Sequence, residues 1–152
     1  MKRQDLSALL HPLMSLVVIA VSFWSDAKLP IPKGVAKPLG ELIFLFGMAM
    51  FAWVLVYLRN AFLGNVEPVL DKLVTNGPYR YVRHPLYLSM VISLVGLAVA
   101  LRSLWGTLSV FLLFLPAGAY RASLEEKALA RKFDQEWNCY AARTFFMFPL
   151  LW

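Results

Sequence analysis

Read from its start, the chain alternates long apolar runs with short polar breaks. Four runs stand out, at about 6–24, 39–58, 85–101 and 104–120. A hydrocarbon core about 30 Å thick takes about 20 helical residues to cross, so each run predicts a membrane helix. Trp24 closes the first run as an interfacial anchor. Pro12 is expected to begin that helix proper, and Pro30, Pro32, Gly34 and Pro38 punctuate a predicted loop over 26–38. Arg102 and Ser103 leave almost no connection between the third and fourth runs, which predicts a tight antiparallel hairpin. Pro116-Ala117-Gly118 is a candidate kink near the end of the fourth, able to open a lateral path for a lipidic molecule.

A fifth stretch, 121–143, has another period. Leu129, Phe133, Trp137 and Tyr140 recur at i, i+4, i+8 and i+11, one apolar stripe along a helix. Extended backwards by fours, the stripe reaches Glu125 and then Arg121, so both charges point with the packing face. Charges at a membrane edge on such a face are costly to leave idle, and a functional reading is preferred to an exposed i,i+4 ion pair. Lys127, Arg131, Lys132 and Asp134 fall off the stripe and predict a solvated face. The pattern as a whole predicts an all-α polytopic membrane protein. It is read as a single integral-membrane domain over 1–152, with about four transmembrane helices and a C-terminal amphipathic cytoplasmic helix. Residues 145–152 are too short to span and are expected to lie in the interface or fold back over the rest.

Composition agrees. Apolar residues make up 60% of the 152, charged residues 16%, and mean hydropathy is +0.63, against about 45–50% and 25% in soluble domains. The net charge of +6 does not imply nucleic acid, because the basic residues are spread over the breaks rather than gathered on one face. With four spans, eleven Lys and Arg fall on the side of both termini. Only Lys28, Lys33, Lys37 and Arg102 fall on the other. That asymmetry predicts cytoplasmic termini in an inner, cytoplasmic membrane. The basic start followed by an apolar run imitates a signal peptide, but Phe23-Trp24 offers no small-residue cleavage motif, and the segment is read as a retained anchor. One cysteine, Cys139, excludes an intrachain disulfide or a cysteine-based metal site. His11, with no second metal-type residue beside it, is read as structural.

The densest chemistry lies at 76–87, Asn-Gly-Pro-Tyr-Arg-Tyr-Val-Arg-His-Pro-Leu-Tyr. Asn76-Gly77-Pro78 is turn punctuation, and Pro85 is placed to start the third membrane helix, where its missing N–H costs nothing. A helix N-terminus favours a carboxylate or phosphate. His84 adds a hydrogen-bonding group there, Tyr87 follows on much the same face, and Tyr79 offers a π-face or hydroxyl across the turn. With Glu125 supplying negative charge from the other half, the groups match a ligand bearing a carboxylate, a positive centre and an aromatic base. S-adenosylmethionine has all three, and an adenine nucleotide satisfies much of the same list.

Asp71-Lys72-Leu73-Val74-Thr75-Asn76-Gly77-Pro78-Tyr79 followed by Arg83-His84-Pro85-Leu86-Tyr87 resembles the signature of the isoprenylcysteine carboxyl methyltransferase family and its phospholipid methyltransferase relatives. Glu125-Glu126 followed by Leu129, Phe133, Tyr140 and Pro149 resembles that family's C-terminal signature. The resemblance covers 71–149, about half the chain. It implies cofactor contacts from Asp71, Lys72, Leu73, Val74, Tyr79, His84, Pro85, Leu86, Tyr87 and Glu125, and a substrate-orienting, catalytic role for Arg121. Asp71 stands where the family often has His, and Asp134 and Trp137 replace a common Gly and Tyr. The chain is also shorter than the eukaryotic enzymes, which weakens the inference of a prenylated-protein acceptor.

The expected reaction is an in-line displacement at the methyl carbon of S-adenosylmethionine, without a metal. Alignment and water exclusion are the protein's task, and positioning supplies about 7–11 kcal/mol. The acceptor is expected to be lipidic or membrane-soluble: an isoprenylcysteine-like carboxylate, a lipid amine or a small thiol. A carboxylate needs no base; an amine or thiol does, and the sequence names none. The alternative is an NADPH-dependent reductase similar to sterol reductases, but those show Asn before the motif tyrosine and Gly-Asp after it. Here Leu86 precedes Tyr87 and Leu88-Ser89 follow.

Overall fold

A computed structural model of the chain describes residues 4–58 and 72–148. Its elements are α1 (Gln4–Trp24), α2 (Lys33–Leu58), a 3-10 turn (Gly77–Arg80), α3 (Pro85–Ala100), α4 (Leu104–Ser109), a π turn (Val110–Phe114) and α5 (Leu115–Ala141). Extended pairing among the described residues is limited to two isolated bridges, Lys28 with Ser103 and Val82 with Phe145. The all-α expectation therefore holds. Two helical segments are long and apolar enough to cross a membrane, Lys33–Leu58 and the continuous Leu104–Ala141; Leu9–Trp24 and Pro85–Ala100 are shorter apolar helices.

Three local expectations are corrected. Pro12 does not begin α1 but lies inside it. Residues 33–38 are not loop but the opening of α2: the amides of Val35 and Ala36 both donate to the Pro32 carbonyl, at 3.0 and 2.9 Å. Pro38 is then accommodated one turn beyond Gly34, around which a side-chain carbon would meet nothing. Finally, the fourth apolar run and the charged stripe are not separate helices meeting near residue 120. They form one helical run from Leu104 to Ala141. The π turn explains how. Pro116 lacks an N–H and its ring crowds the carbonyl four residues back. The wider turn just before it, closed by Leu115 N–H onto the Val110 carbonyl, absorbs that misfit without breaking the rod. The one non-helical residue inside α5 is Asp134, at φ 39° and ψ −107°.

α2 and α3 pack along most of their length through small residues. The buried positions of α2 are Ala36, Gly40, Gly47 and Val54, while Leu42, Leu45, Phe46, Trp53 and Val56 are exposed on its other faces. This inverted pattern suits a helix in lipid, where close backbone approach replaces hydrophobic burial as the packing force. A side-chain carbon at Gly40 would stand 2.6 Å from the Gly96 carbonyl oxygen, one at Gly47 2.6 Å from the Ser93 amide, and one at Gly96 2.7 Å from Phe44 Cα. Ser89 and Ser93, buried on α3, satisfy their hydroxyls on the carbonyls of Leu86 and Ser89, at 2.7 and 2.9 Å. On the other side of α3, Val18 of α1, Val91, Leu94, Val110 and Phe114 form the apolar core.

Each end of the bundle is closed by a backbone clasp. At one end Leu29 N–H donates to Arg102 O (2.7 Å) and Leu104 N–H to Ala27 O (3.0 Å). At the other, Arg83 N–H donates to Phe145 O (2.8 Å), His84 N–H to Phe146 O (3.1 Å) and Phe145 N–H to Tyr81 O (3.1 Å). The C-terminal stretch thus folds back as expected, as far as Phe148; residues 149–152 lie outside the described residues.

Two outcomes test this packing. Gly96→Ala wedges α2 from α3 and is expected to cost about 1–3 kcal/mol, read as a lower thermal midpoint, whereas Gly34→Ala, in open space, causes no loss. Asp134→Gly relieves a backbone conformation that L-residues rarely adopt and is expected to raise stability by about 1 kcal/mol, measured by the same thermal unfolding.

Candidate active site

The site is built where α3 starts. Gly77, at φ 60°, turns the chain against the Tyr57 ring, and the 3-10 turn buries Pro78 and Tyr79. Pro85 begins α3 as expected and is fully buried, with His84 as the residue before it. α5 crosses this start and presents two adjacent acids to it. Tyr87 donates its hydroxyl to Glu125 Oε1 at 2.7 Å, and Arg121 Nε donates to the same oxygen at 3.0 Å. His84 lies between the two acids, Nε2 at 3.3 Å from Glu126 Oε1 and Nδ1 at 3.8 Å from Glu125 Oε2. Arg83 Nε donates to Glu126 Oε1 at 2.6 Å, and its Nη1 reaches the carbonyls of Ala141, at 2.8 Å, and Thr144.

Arg121 is 1% exposed, so its pair with Glu125 is not the surface i,i+4 contact that spacing alone also allowed. Burial opposes ionisation of Glu126, but hydrogen bonds from His84 and Arg83 outweigh it and hold the carboxyl below its usual value. Burial, reinforced by the Glu125 charge, pushes the Tyr79 phenol well above its usual value, so it stays neutral.

Of the residues singled out from sequence, Tyr87, His84, Glu125 and Arg121 meet in one cluster. Tyr79 is near enough to feel the Glu125 charge, and its carbonyl accepts the Tyr140 hydroxyl at 2.8 Å. Pro85 is structural support and Leu86 is half-buried beside it. Lys72 is exposed and Leu73 and Val74 are half-buried in the stretch leading to the turn, outside the ion-pair network. Asp71 lies outside the described residues.

Three contributors were not anticipated. Glu126 looked like a partner in a signature but is the anchor for both Arg83 and His84. Arg83 ties that anchor to the returning C-terminal chain. His11 of α1 packs edge-on against the Tyr87 ring, centroids 5.5 Å apart, and feels the charges of Arg121 and Glu125. Its Nδ1 is buried and has no hydrogen-bond partner among the described residues. Only the early position of His11-Pro12, near the same end of the bundle, hinted at this.

Chemically, Glu125 has one oxygen committed to Tyr87 and Arg121, while its second is beyond hydrogen-bonding distance of His84. A carboxylate side chain 26% exposed, with one oxygen not hydrogen-bonded among the described residues, beside a buried guanidinium can bind a small zwitterion and hold it at the helix start.

Comparison with known proteins agrees with this geometry. Over 97 residues, 62% of this chain and 48% of the relative, the chain is 29% identical to phosphatidylethanolamine N-methyltransferase B of Dictyostelium discoideum. Over 82 residues, 53% of this chain and 37% of the relative, it is 40% identical to the nickel-cobalt-cadmium resistance protein NccN of Alcaligenes xylosoxydans xylosoxydans. The matches thus span less than half the length of either relative. The model of the phospholipid methyltransferase family matches residues 36–136, a range that holds most of α2, all of α3 and the whole Arg83-to-Glu126 cluster. The chain belongs to the phospholipid methyltransferase family.

Proposed function

We propose that the chain is an integral-membrane, S-adenosylmethionine-dependent methyltransferase acting on a membrane-associated acceptor, with its helices forming about four spans and both termini cytoplasmic. The observation that carries this reading is Glu125, shared by Tyr87 and Arg121 at the start of α3 and keeping one oxygen for a ligand. The reductase alternative has no comparable support, since the family match is to methyltransferases.

The residues fit S-adenosylmethionine. Glu125 would take its ammonium and the Tyr79 ring its aromatic base, while His84 and the first amides of α3 favour its carboxylate. When bound, this group supplies an activated methyl on a sulfonium. Arg121 holds the acceptor's anionic portion in line, and the segment Phe145–Phe148 with Phe146 against His84 (5.0 Å) excludes water.

Among acceptors, the name of the Dictyostelium relative points to a lipid amine. An ammonium must lose a proton before its nitrogen can attack, and His11 Nδ1 supports that step: it is buried, unpartnered among the described residues and beside the cluster. His11 would accept that proton first; the freed nitrogen would then take the methyl as the carbon–sulfur bond breaks to a neutral thioether, and the methylated nitrogen again carries one positive charge.

Arg121→Ala is expected to keep S-adenosylmethionine binding in titration calorimetry yet lose about 100-fold or more in turnover. Glu125→Ala and His84→Ala are expected to weaken that binding about tenfold or more. Normal turnover in Arg121→Ala would remove its assigned role. His11→Gln should abolish the rise of turnover with pH that a neutral imidazole requires, without lowering the thermal midpoint. An unchanged pH profile would exclude it as proton acceptor.

A further inference from the structure

Among the described residues, two buried side-chain polar atoms lack a hydrogen-bond partner. One, His11 Nδ1, belongs to the candidate active site. The other, Arg102 Nε, lies at the opposite end of α3, about 24 Å away along its 16 residues. Buried polar atoms are normally paired, and one that is not calls for an explanation such as an absent ligand.

Arg102 lines a groove of about 790 Å³ between α2 and α3. Lys28, Lys33 and Lys37 line it too, with Phe44 and Leu97 among its apolar walls. These four are all of the cations that the described residues place at this end of the bundle. One carboxylate, Glu41, shares the groove, 3.9 Å from Lys37 Nζ. Arg102 is held there firmly: its backbone sits at φ 56°, its carbonyl accepts from Leu29 N–H, and its Nη2 donates to Leu29 O at 3.2 Å. The α2 N-terminus adds its positive dipole end at Lys33.

Cations around an apolar trough fit an amphiphile with an anionic head. A free phosphate has no use for the trough, and a neutral apolar molecule has none for the cations. We propose that this groove binds an anionic membrane phospholipid, its phosphate among Arg102 and the lysines and an acyl chain along Phe44 and Leu97. The site is separate from the candidate active site and does not depend on the reaction proposed there. A lipid seated here bridges α2 and α3 where their small-residue seam ends.

The test uses the purified chain in bilayer discs of phosphatidylcholine alone or of an equal mixture with phosphatidylglycerol, read by thermal unfolding. The mixed bilayer is expected to raise the midpoint by about 2–4 °C. Lys33→Gln with Lys37→Gln, both at exposed positions, should remove at least half of that gain. Lys127→Gln with Arg131→Gln, on the solvated face of α5, should leave it intact and so controls for overall charge. Three results would overturn the proposal: a full gain in the Lys33/Lys37 variant, an equal loss in the control variant, or the same gain from inorganic phosphate added to phosphatidylcholine discs.

Discussion

Glu125 and Glu126 are neighbours on one helix turn, and partly buried carboxylates must find cations or donors. Everything at the candidate active site follows from how they do so. Glu126 takes Arg83 and His84 from the entry to α3. Glu125 takes Tyr87 from the first turn of α3 and Arg121 from its own helix. α5 is therefore fixed against α3 by polar bonds beside the apolar cluster of Tyr87, Ala122 and Met147. Arg83 extends the same network to the carbonyls of Ala141 and Thr144, so the returning chain is held by the side chain that anchors the acids. Had the two acids lacked these partners, desolvation would have driven the helices apart rather than together.

Elsewhere the bundle relies on shape. Gly40, Gly47 and Gly96 bring two backbones close enough that the seam is filled by main-chain atoms, with the large side chains of α2 left outside. In lipid this is a sound arrangement, because apolar side chains gain little by facing protein instead of acyl chains. Family membership, the inverted exposure of α2 and the rod from Leu104 to Ala141 all agree with a membrane setting.

Much of this could be read from residue order. Pro85 announced the start of α3 because a proline's missing N–H is tolerated only there. Arg121 and Glu125 were legible because their spacing extended an apolar stripe by whole multiples of four. The boundary near residue 120 was misread: local pattern shows where polarity changes but not that a wide turn lets a helix continue past Pro116. The break at Asp134 was hidden for a related reason, since a single positive φ leaves no periodic trace. Glu126, Arg83 and His11 escaped because their roles arise from contacts between segments far apart in the chain, from Arg83 with Glu126 to His11 with Glu125, which no window of sequence contains.

That separation has a consequence for how the protein comes into being. Arg83 and His84 leave the ribosome long before their partners at 126 and at 141–146. Helices α2 and α3 can join through their glycines while the chain is still growing. The cluster itself follows in two stages: the bonds to Glu125 and Glu126 can form once residue 126 is made, and the clasp that locks Arg83 and His84 against the returning chain closes only with residues 145 and 146.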